Sequence, residues 1–277
     1  MLRERVANNI LVFTSELYAQ VTAGAVLTPA GAIIIDTMPF PVEAKQIIKI
    51  VEERHNTPVR YVINTHYHAD HTYGTCFFKG TRVISHRKCY DLLDTRGRKS
   101  LYHARKSSRD IVSVRLRLPD IVFDKGVMNI HLGGVNLKLW HTPGHSPDSI
   151  VCLVENEQIL FAADTLMPVP FFADGKWSDF VASLEGLLPM TFENVIQGHG
   201  EVVLRGEVTS KIQDDLNYLY AVRKRVEKVI KKKQPVEALA EIDIEDCGKS
   251  RIPLNGLVRQ LHKSNVETLY QELINES

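Results

Sequence analysis

Apolar residues along this chain keep two different periods, and the change of period divides it. Between residues 9 and 36, and again between 121 and 163, they come in short runs rich in Val, Ile and Phe, broken by Pro29, Gly31, Gly126 and the Gly133-Gly134 pair. Runs of that kind read as strands. The first set is 9–14, 19–27 and 31–36; the second is 121–123, 127–131, 135–141, 150–155 and 158–162. Single strands are expected at 60–63, 82–85 and 194–197. Helical spacing replaces this pattern at 42–53, where Ala44, Ile47, Ile48 and Val51 share a face behind Pro41. Short helices are expected at 74–78 and 179–188. From 207 onward the chain is helical throughout: 207–233, closing on Lys231-Lys232-Lys233 as suits a helix C-terminus, then 235–241 and 255–276.

Two β-runs flanked by helices imply two stacked sheets with helices outside, an α/β fold of four layers, αββα. The expected division is a catalytic domain at 1–206 and a helical extension at 207–277 packed on the same body. With 277 residues, 44% of them hydrophobic, the chain can bury one large core. A formal net charge of +1 gives no overall attraction to nucleic acid or an anionic membrane. No apolar run approaches the length of a membrane span. The strand-like run at 9–13 is too short for a signal peptide. Four cysteines, Cys76, Cys89, Cys152 and Cys247, lack C-x-x-C spacing and read as reduced, which suits a cytoplasmic protein.

The chemistry is concentrated in Thr65-His66-Tyr67-His68-Ala69-Asp70-His71, directly after the apolar Tyr61-Val62-Ile63. This places four potential metal ligands on a loop at the C-terminal end of a strand, where α/β folds gather their binding residues. Period two points His66, His68 and Asp70 the same way while the chain is extended, and His71 follows at the turn. One loop can therefore offer two imidazoles to one ion and a carboxylate plus an imidazole to another. Completing ligands come from His145 in Thr142-Pro143-Gly144-His145-Ser146, Asp164 in Phe161-Ala162-Ala163-Asp164-Thr165, and His199 in Gly198-His199-Gly200.

With its H-x-H-x-D-H, T-P-G-H, D-T and G-H-G motifs in that order, the chain resembles the metallo-β-lactamase-fold hydrolase superfamily over residues 9–200. Its glyoxalase II-like and broad-specificity branch is the nearest in kind. The resemblance implies that His66, His68 and His145 hold one metal and Asp70, His71 and His199 a second, with Asp164 bridging. The cofactors are then two divalent ions, zinc first, with iron or manganese as alternatives. The implied activity is hydrolysis of an ester, thioester or lactone by a hydroxide shared between the metals, with Asp70 and Asp164 as the catalytic carboxylates. The alternative is a phosphodiesterase or ribonuclease of the same fold. A flavo-diiron redox role fits less well, because that branch has a carboxylate where His68 stands. A non-catalytic module with a vestigial site is at odds with a full ligand set.

Several residues carry two readings. Asp36 reads first as a turn or cap aspartate; the resemblance adds the alternative of a carboxylate supporting the metals. His86, at a strand end, reads as structural, and Cys76 as too marginal for a ligand. The loop at 165–180 is unusually aromatic, so Phe171, Phe172 and Trp177 are expected to wall a substrate pocket, with packing under the next helix as the competing explanation. The segment 87–118 carries ten Lys and Arg against three Asp. It reads either as a solvated helical hairpin or as a basic rim that attracts an anionic substrate. The expected partners are a small molecule, anionic if that rim acts, and at most a second copy in a homodimer; a membrane is not expected and nucleic acid is disfavoured.

Overall fold

The structure is a computed structural model and describes residues 1–275. One sheet has seven strands in sequence order: β1 (Leu2–Ala7), β2 (Ile10–Thr14), β3 (Thr22–Thr28), β4 (Gly31–Ile35), β5 (Val59–Ile63), β6 (Arg82–His86) and β7 (Ile121–Phe123). The second has six: β8 (Val127–Leu132), β9 (Val135–His141), β10 (Ile150–Val154), β11 (Ile159–Ala163), β12 (Asn194–Gln197) and β13 (Val202–Leu204), ordered β13-β12-β11-β10-β9-β8. In the first sheet β1 to β4 form an antiparallel meander and β4 to β7 run parallel. In the second only β11 and β12 are parallel. The helices are α1 (Pro41–Ile48, continuing as a wider π turn over Lys49–Arg54), α2 (Ala69–Thr72), α3 (Arg87–Leu92), α4 (Arg98–Ser107), α5 (Trp177–Leu187), α6 (Val208–Lys231) and α7 (Val258–Asn275).

Alternation along single strands explains the four layers. Ile33 and Ile35 of β4 face the second sheet and pack with Ile63, Leu139 and Phe161, whereas Ile34 between them faces α1 with Ala44 and Ile47. Both faces are covered, so the strands read as unbroken apolar runs. On the far side, Val151, Leu160 and Val195 of the second sheet pack against Phe180, Leu216 and Leu219 of α5 and α6. The α6 and α7 helices join this same core, with Val222 and Val266 both buried in it.

Four details differ from the sequence reading. Leu2–Ala7 is a strand, hidden from pattern analysis because Arg3, Glu4 and Arg5 are exposed on a sheet edge, where charge deters further pairing. The short strand Val202–Leu204 was also not anticipated. Residues 19–21 are a loop, with Ala19 and Gln20 at φ 43° and 51°. The basic segment is not a hairpin. It is one helical run, α3 to α4 through a π turn at Leu93–Gly97, followed by an irregular return to β7. The helix expected to reach Glu276 is seen to Asn275; Glu276 lies outside the described residues.

Candidate metal centre

Loops at strand ends of both sheets meet in one cluster. β5 runs into Thr65–His71, Asp164 directly follows β11, and His199 lies two residues beyond the end of β12. The loop after β9 brings His145. Two groups result, His66, His68, His145 and Asp164, and Asp70, His71 and His199, with the ligand atoms of each within 4.8 Å of one another. All seven sequence-derived candidates therefore converge. Asp164 is central: its carboxylate lies 3.2 Å from His71 Nε2, 3.2 Å from His145 Nε2, 3.6 Å from His199 Nε2 and 3.8 Å from His66 Nε2. Asp70 Oδ2 lies 3.3 Å from His199 Nε2.

The backbone is shaped to allow this. Ala163 adopts φ 44°, a left-handed conformation costly for a residue with a Cβ, directly before Asp164. Gly198 packs so closely that a Cβ there would sit 1.7 Å from Asp164 Oδ1. Only glycine lets β12 deliver His199 beside that carboxylate.

Each imidazole is held by its far nitrogen. His71 Nδ1 donates to Asp36 Oδ2 at 2.8 Å. His145 Nδ1 donates to the Phe171 carbonyl and His199 Nδ1 to the Ala19 carbonyl, both at 2.8 Å. His66 Nδ1 donates to Thr65 Oγ1 at 3.1 Å, and that hydroxyl in turn donates to Asp36 Oδ2 at 2.7 Å. His68 is turned the other way: its Nε2 donates to Asp174 Oδ2 at 3.2 Å. These bonds set the tautomer of each neutral ring, so that the near nitrogen of a neutral ring is a lone-pair acceptor.

That has a testable consequence for metal fit. His66 Nε2, His71 Nε2 and Asp164 Oδ1 are buried without hydrogen-bond partners. His145 Nε2 and His68 Nδ1, both acceptors once their far nitrogens donate, face each other at 2.9 Å. A cluster of converging acceptors is costly unless a cation sits among them. The protein alone meets the cost with protons. Burial opposes charge on His71, but Asp164, Asp36 and Asp70 outweigh it and hold its pKa well above the ordinary value. His199 is raised to about 10 against burial, mainly by Asp164. His145 falls to about 4 through burial. The donor set, five imidazoles and two carboxylates, fits divalent transition ions.

Asp36 is thus no turn or cap residue. It sits at φ 57° after β4, accepts from the Thr65 backbone N–H at 2.9 Å as well as the two side chains named above, and supports His66 and His71 together. Of the aromatic loop, Phe171 lines the cavity over the cluster. Phe172 and Trp177 do not. Phe172 is fully buried in the core, and Trp177 packs there with its indole N–H donating to the Leu219 carbonyl. The loop exposes one aromatic and uses the other two to anchor itself, so the packing explanation holds for Phe172 and Trp177. His86 is structural as expected. It caps α3 by accepting from Lys88 N, stacks on His141 at 4.2 Å, and burial takes its pKa to about 4. Cys76 Sγ accepts from Arg115 N, away from the cluster.

Several cations of the basic segment are engaged within the protein. Arg96 pairs with Asp174 at 2.8 Å, Arg98 with Asp94 at 2.6 Å, Arg105 bonds the Val114 carbonyl, and Arg117 bonds the Phe78 and Thr81 carbonyls. Two contributors escaped the sequence reading altogether. Asp174 accepts from His68, from Tyr67 Oη at 2.6 Å and from Arg96, joining the basic segment to a candidate ligand. Asn265 of α7 donates to the Pro170 carbonyl at 2.6 Å and accepts from Phe172 N at 3.0 Å. It thereby grips the residues on either side of the carbonyl that orients His145. A lone acid inside an aromatic loop and an asparagine in an amphipathic helix were the only signals for them.

The cavity above the cluster has a volume of about 320 Å³. Beyond the candidate ligands and Ser100 its walls are apolar or phenolic, and none of the described residues lining it is Lys or Arg.

Comparison with known proteins agrees with this geometry. The family model of the metallo-beta-lactamase superfamily matches residues 19–224. The hydroxyacylglutathione hydrolase of Pelagibacter ubique is 31% identical over 130 residues, 46% of this chain and 44% of that protein. The atrochrysone carboxyl ACP thioesterase of Claviceps purpurea is 24% identical over 207 residues, 72% of this chain and 59% of that one. The chain spans 44–66% of the length of the first curated relatives it matches. Among solved structures, a metallo-beta-lactamase from Pontibacter korlensis superposes with a TM-score of 0.64 at 19% identity, covering 79% of this chain and 98% of that one, a likeness of fold. The chain belongs to the metallo-beta-lactamase superfamily.

Proposed function

We propose that this protein is a dinuclear metal-dependent hydrolase of an ester, thioester or lactone. The observation that carries the reading is the ring of open acceptors: five imidazoles locked by their far nitrogens, with their near nitrogens gathered around Asp164. His66, His68 and His145 would hold one ion, Asp70, His71 and His199 the other, and Asp164, within 3.8 Å of a near nitrogen in both groups, would bridge. Zinc suits the all-N/O set, and iron or manganese is compatible with it. When bound, such a pair supplies Lewis acidity and brings the pKa of a coordinated water from 15.7 to about 7.

The chain's own residues do the rest. Asp36, Asp174 and the Ala19 and Phe171 carbonyls keep the five rings fixed, so nothing need reorganise during reaction. Asp70, partly exposed at the cavity floor and held below the usual carboxylate range by His71 and His199 against burial, stays ionised and accepts a hydrogen bond from an incoming water. Two relatives are named as a hydrolase and a thioesterase, which supports acyl chemistry. The apolar and phenolic cavity walls favour it over a phosphodiester polyanion, whose phosphates call for Lys and Arg. The test is an activity panel of thioesters, oxoesters, lactones, lactams and phosphodiesters on protein reconstituted with zinc, iron and manganese in turn. Acyl substrates should turn over fastest. Turnover confined to phosphodiesters would overturn the proposal.

A further inference from the structure

The helical extension does more than cover the second sheet. Its segment at 254–261 bends back over the metal centre and contributes Leu254, Leu257 and Leu261 to the same cavity as His68, His145 and Asp164. We infer that these leucines form an apolar subsite for the hydrocarbon chain of an uncharged acyl substrate. The inference rests on the hydrolase reading above.

Three independent features support it. The first is exposure. The core side chains of α7, such as Val258, Val266 and Leu269, are buried, yet Leu257 at the entry to the helix is 38% exposed, on a concave wall beside a reactive centre. An apolar residue in that position is explained by an apolar occupant.

The second is strain. Leu254, Asn255 and Gly256 are consecutive left-handed residues, at φ 54°, 55° and 84°. A leucine in that region is unfavourable, because its Cβ crowds the following carbonyl. A regular helix entry would avoid the cost. The turn is what lets Leu254 and Leu257, three residues apart, both reach the cavity, and strain of this kind marks functional positions.

The third is segregation of charge. Arg259, Gln260 and Lys263 of the same segment line an open outer surface and do not reach the cavity; Leu257 stands at the rim between the two, while Leu254 and Leu261 line the cavity alone. Tyr73 and Phe171 line the same cavity, and Arg96, next to the lining residue Gly97 in sequence, is paired with Asp174. A substrate that carries a remote carboxylate or phosphate meets no cation on these walls. An alkyl chain meets three leucines and two aromatic rings.

The experiment is a chain-length series of p-nitrophenyl esters, acetyl to decanoyl, on zinc-loaded full-length protein and on Leu257→Lys. Removing a methylene from water is worth about 0.8 kcal/mol, or roughly fourfold. In the native protein kcat/KM should therefore climb two- to fourfold per methylene until the cavity is filled. In Leu257→Lys the decanoyl-to-acetyl ratio should fall at least tenfold. Leu257 is part-exposed, so the variant folds, and equal melting temperatures verify it. A native series with no slope, or a slope unchanged by Leu257→Lys, overturns the inference. Calorimetric binding of 1-octanol to both proteins separates the two readings, since it needs no turnover. If no acyl ester is hydrolysed but octanol binds the native protein and not Leu257→Lys, the hydrolase reading fails and the apolar subsite stands. If octanol binds neither, the subsite is absent.

Discussion

Two clusters in this molecule centre on a buried aspartate, Asp164 in one and Asp215 in the other, and they are built on opposite rules. Beneath the loop that follows β11, Asp215 of α6 is fully buried between Lys211, which reaches its Oδ2 at 2.5 Å, and Lys249, which reaches its Oδ1 at 2.6 Å. Lys211 also donates to the Met167 carbonyl. That cluster closes on itself: both carboxylate oxygens are used, and the second ammonium ties the segment after α6 to the helix. The cluster around Asp164 does the reverse. The far nitrogens of its histidines are bonded, while His66 Nε2, His71 Nε2 and Asp164 Oδ1 on its inner side have no hydrogen-bond partner. A buried polar group without a partner costs about 1–3 kcal/mol, so a fold keeps several together only where something else completes them. Closed clusters serve the fold; open ones await a ligand.

The sharpest way to break that contrast is Asp164→Ala. It removes the carboxylate proposed to bridge the two groups. We expect fewer than two metals per chain after reconstitution and a fall in kcat on the order of 10³ or more, since several kcal/mol of charge stabilisation go with the centre. Metal content is read by native mass spectrometry. A variant that keeps two ions and most of its rate would show that Asp164 does not bridge. The matching change in the closed cluster is Asp215→Asn, which strands two ammonium groups in the interior. It should cost about 3–5 kcal/mol in denaturant unfolding while leaving the metal stoichiometry of the folded protein intact. If it lowers metal content instead, the two clusters are not separate.

Much of the open cluster was legible from sequence because metal chemistry restricts residue type and spacing. His66, His68, Asp70 and His71 on one loop, with His145, Asp164 and His199 each at a strand end, announce themselves. The sheets were legible too, since Ile33, Ile34 and Ile35 can be apolar in succession only if both faces are covered. The closed cluster was not legible. Lys211 and Lys249 look like any solvated lysine until the fold places Asp215 between them. Asp36 and Asp174 illustrate the same limit at the metal centre: a carboxylate that acts through a histidine carries no pattern of its own, and its partner lies far along the chain. Leu254 and Leu257 were hidden for another reason. Helical periodicity assigns leucines to a core, and the left-handed turn that diverts them to the cavity involves residues with no turn signature besides Asn255 and Gly256.

A finer cut through the open cluster compares its supports. Asp36 is buried and serves two histidines, so Asp36→Ala should weaken zinc binding by about 10–100-fold. Asp174 is partly exposed and serves one, so Asp174→Asn, which keeps an acceptor oxygen for His68, should fall at or below the low end of that range. Chelator competition measures both. Equal losses would mean that the count of supported rings does not matter.

The smallest expected effect concerns pH and belongs to the closed cluster. Burial lowers the Lys211 pKa from 10.5 to about 8, with Asp215 pulling the other way. The folded chain then sheds this proton near pH 8, whereas the unfolded chain holds it until about 10.5. Below pH 8 both states carry the proton and stability does not change on its account. Between those limits the unfolded state binds more protons, so stability must rise with pH. The full difference corresponds to about 3 kcal/mol; with solvent relaxation around the partly exposed ammonium, a rise on the order of 1–2 kcal/mol is expected. Other lysines and tyrosines titrate in the same window, so the measurement is a difference: unfolding free energy of the native protein minus that of Lys211→Met, from pH 7 to 10. The variant keeps the apolar stem of the side chain and has no proton to lose. The difference should be flat to about pH 8 and then move in favour of the native protein. A difference that stays flat to pH 10 would place the Lys211 ammonium in effective contact with water and remove it from the closed cluster.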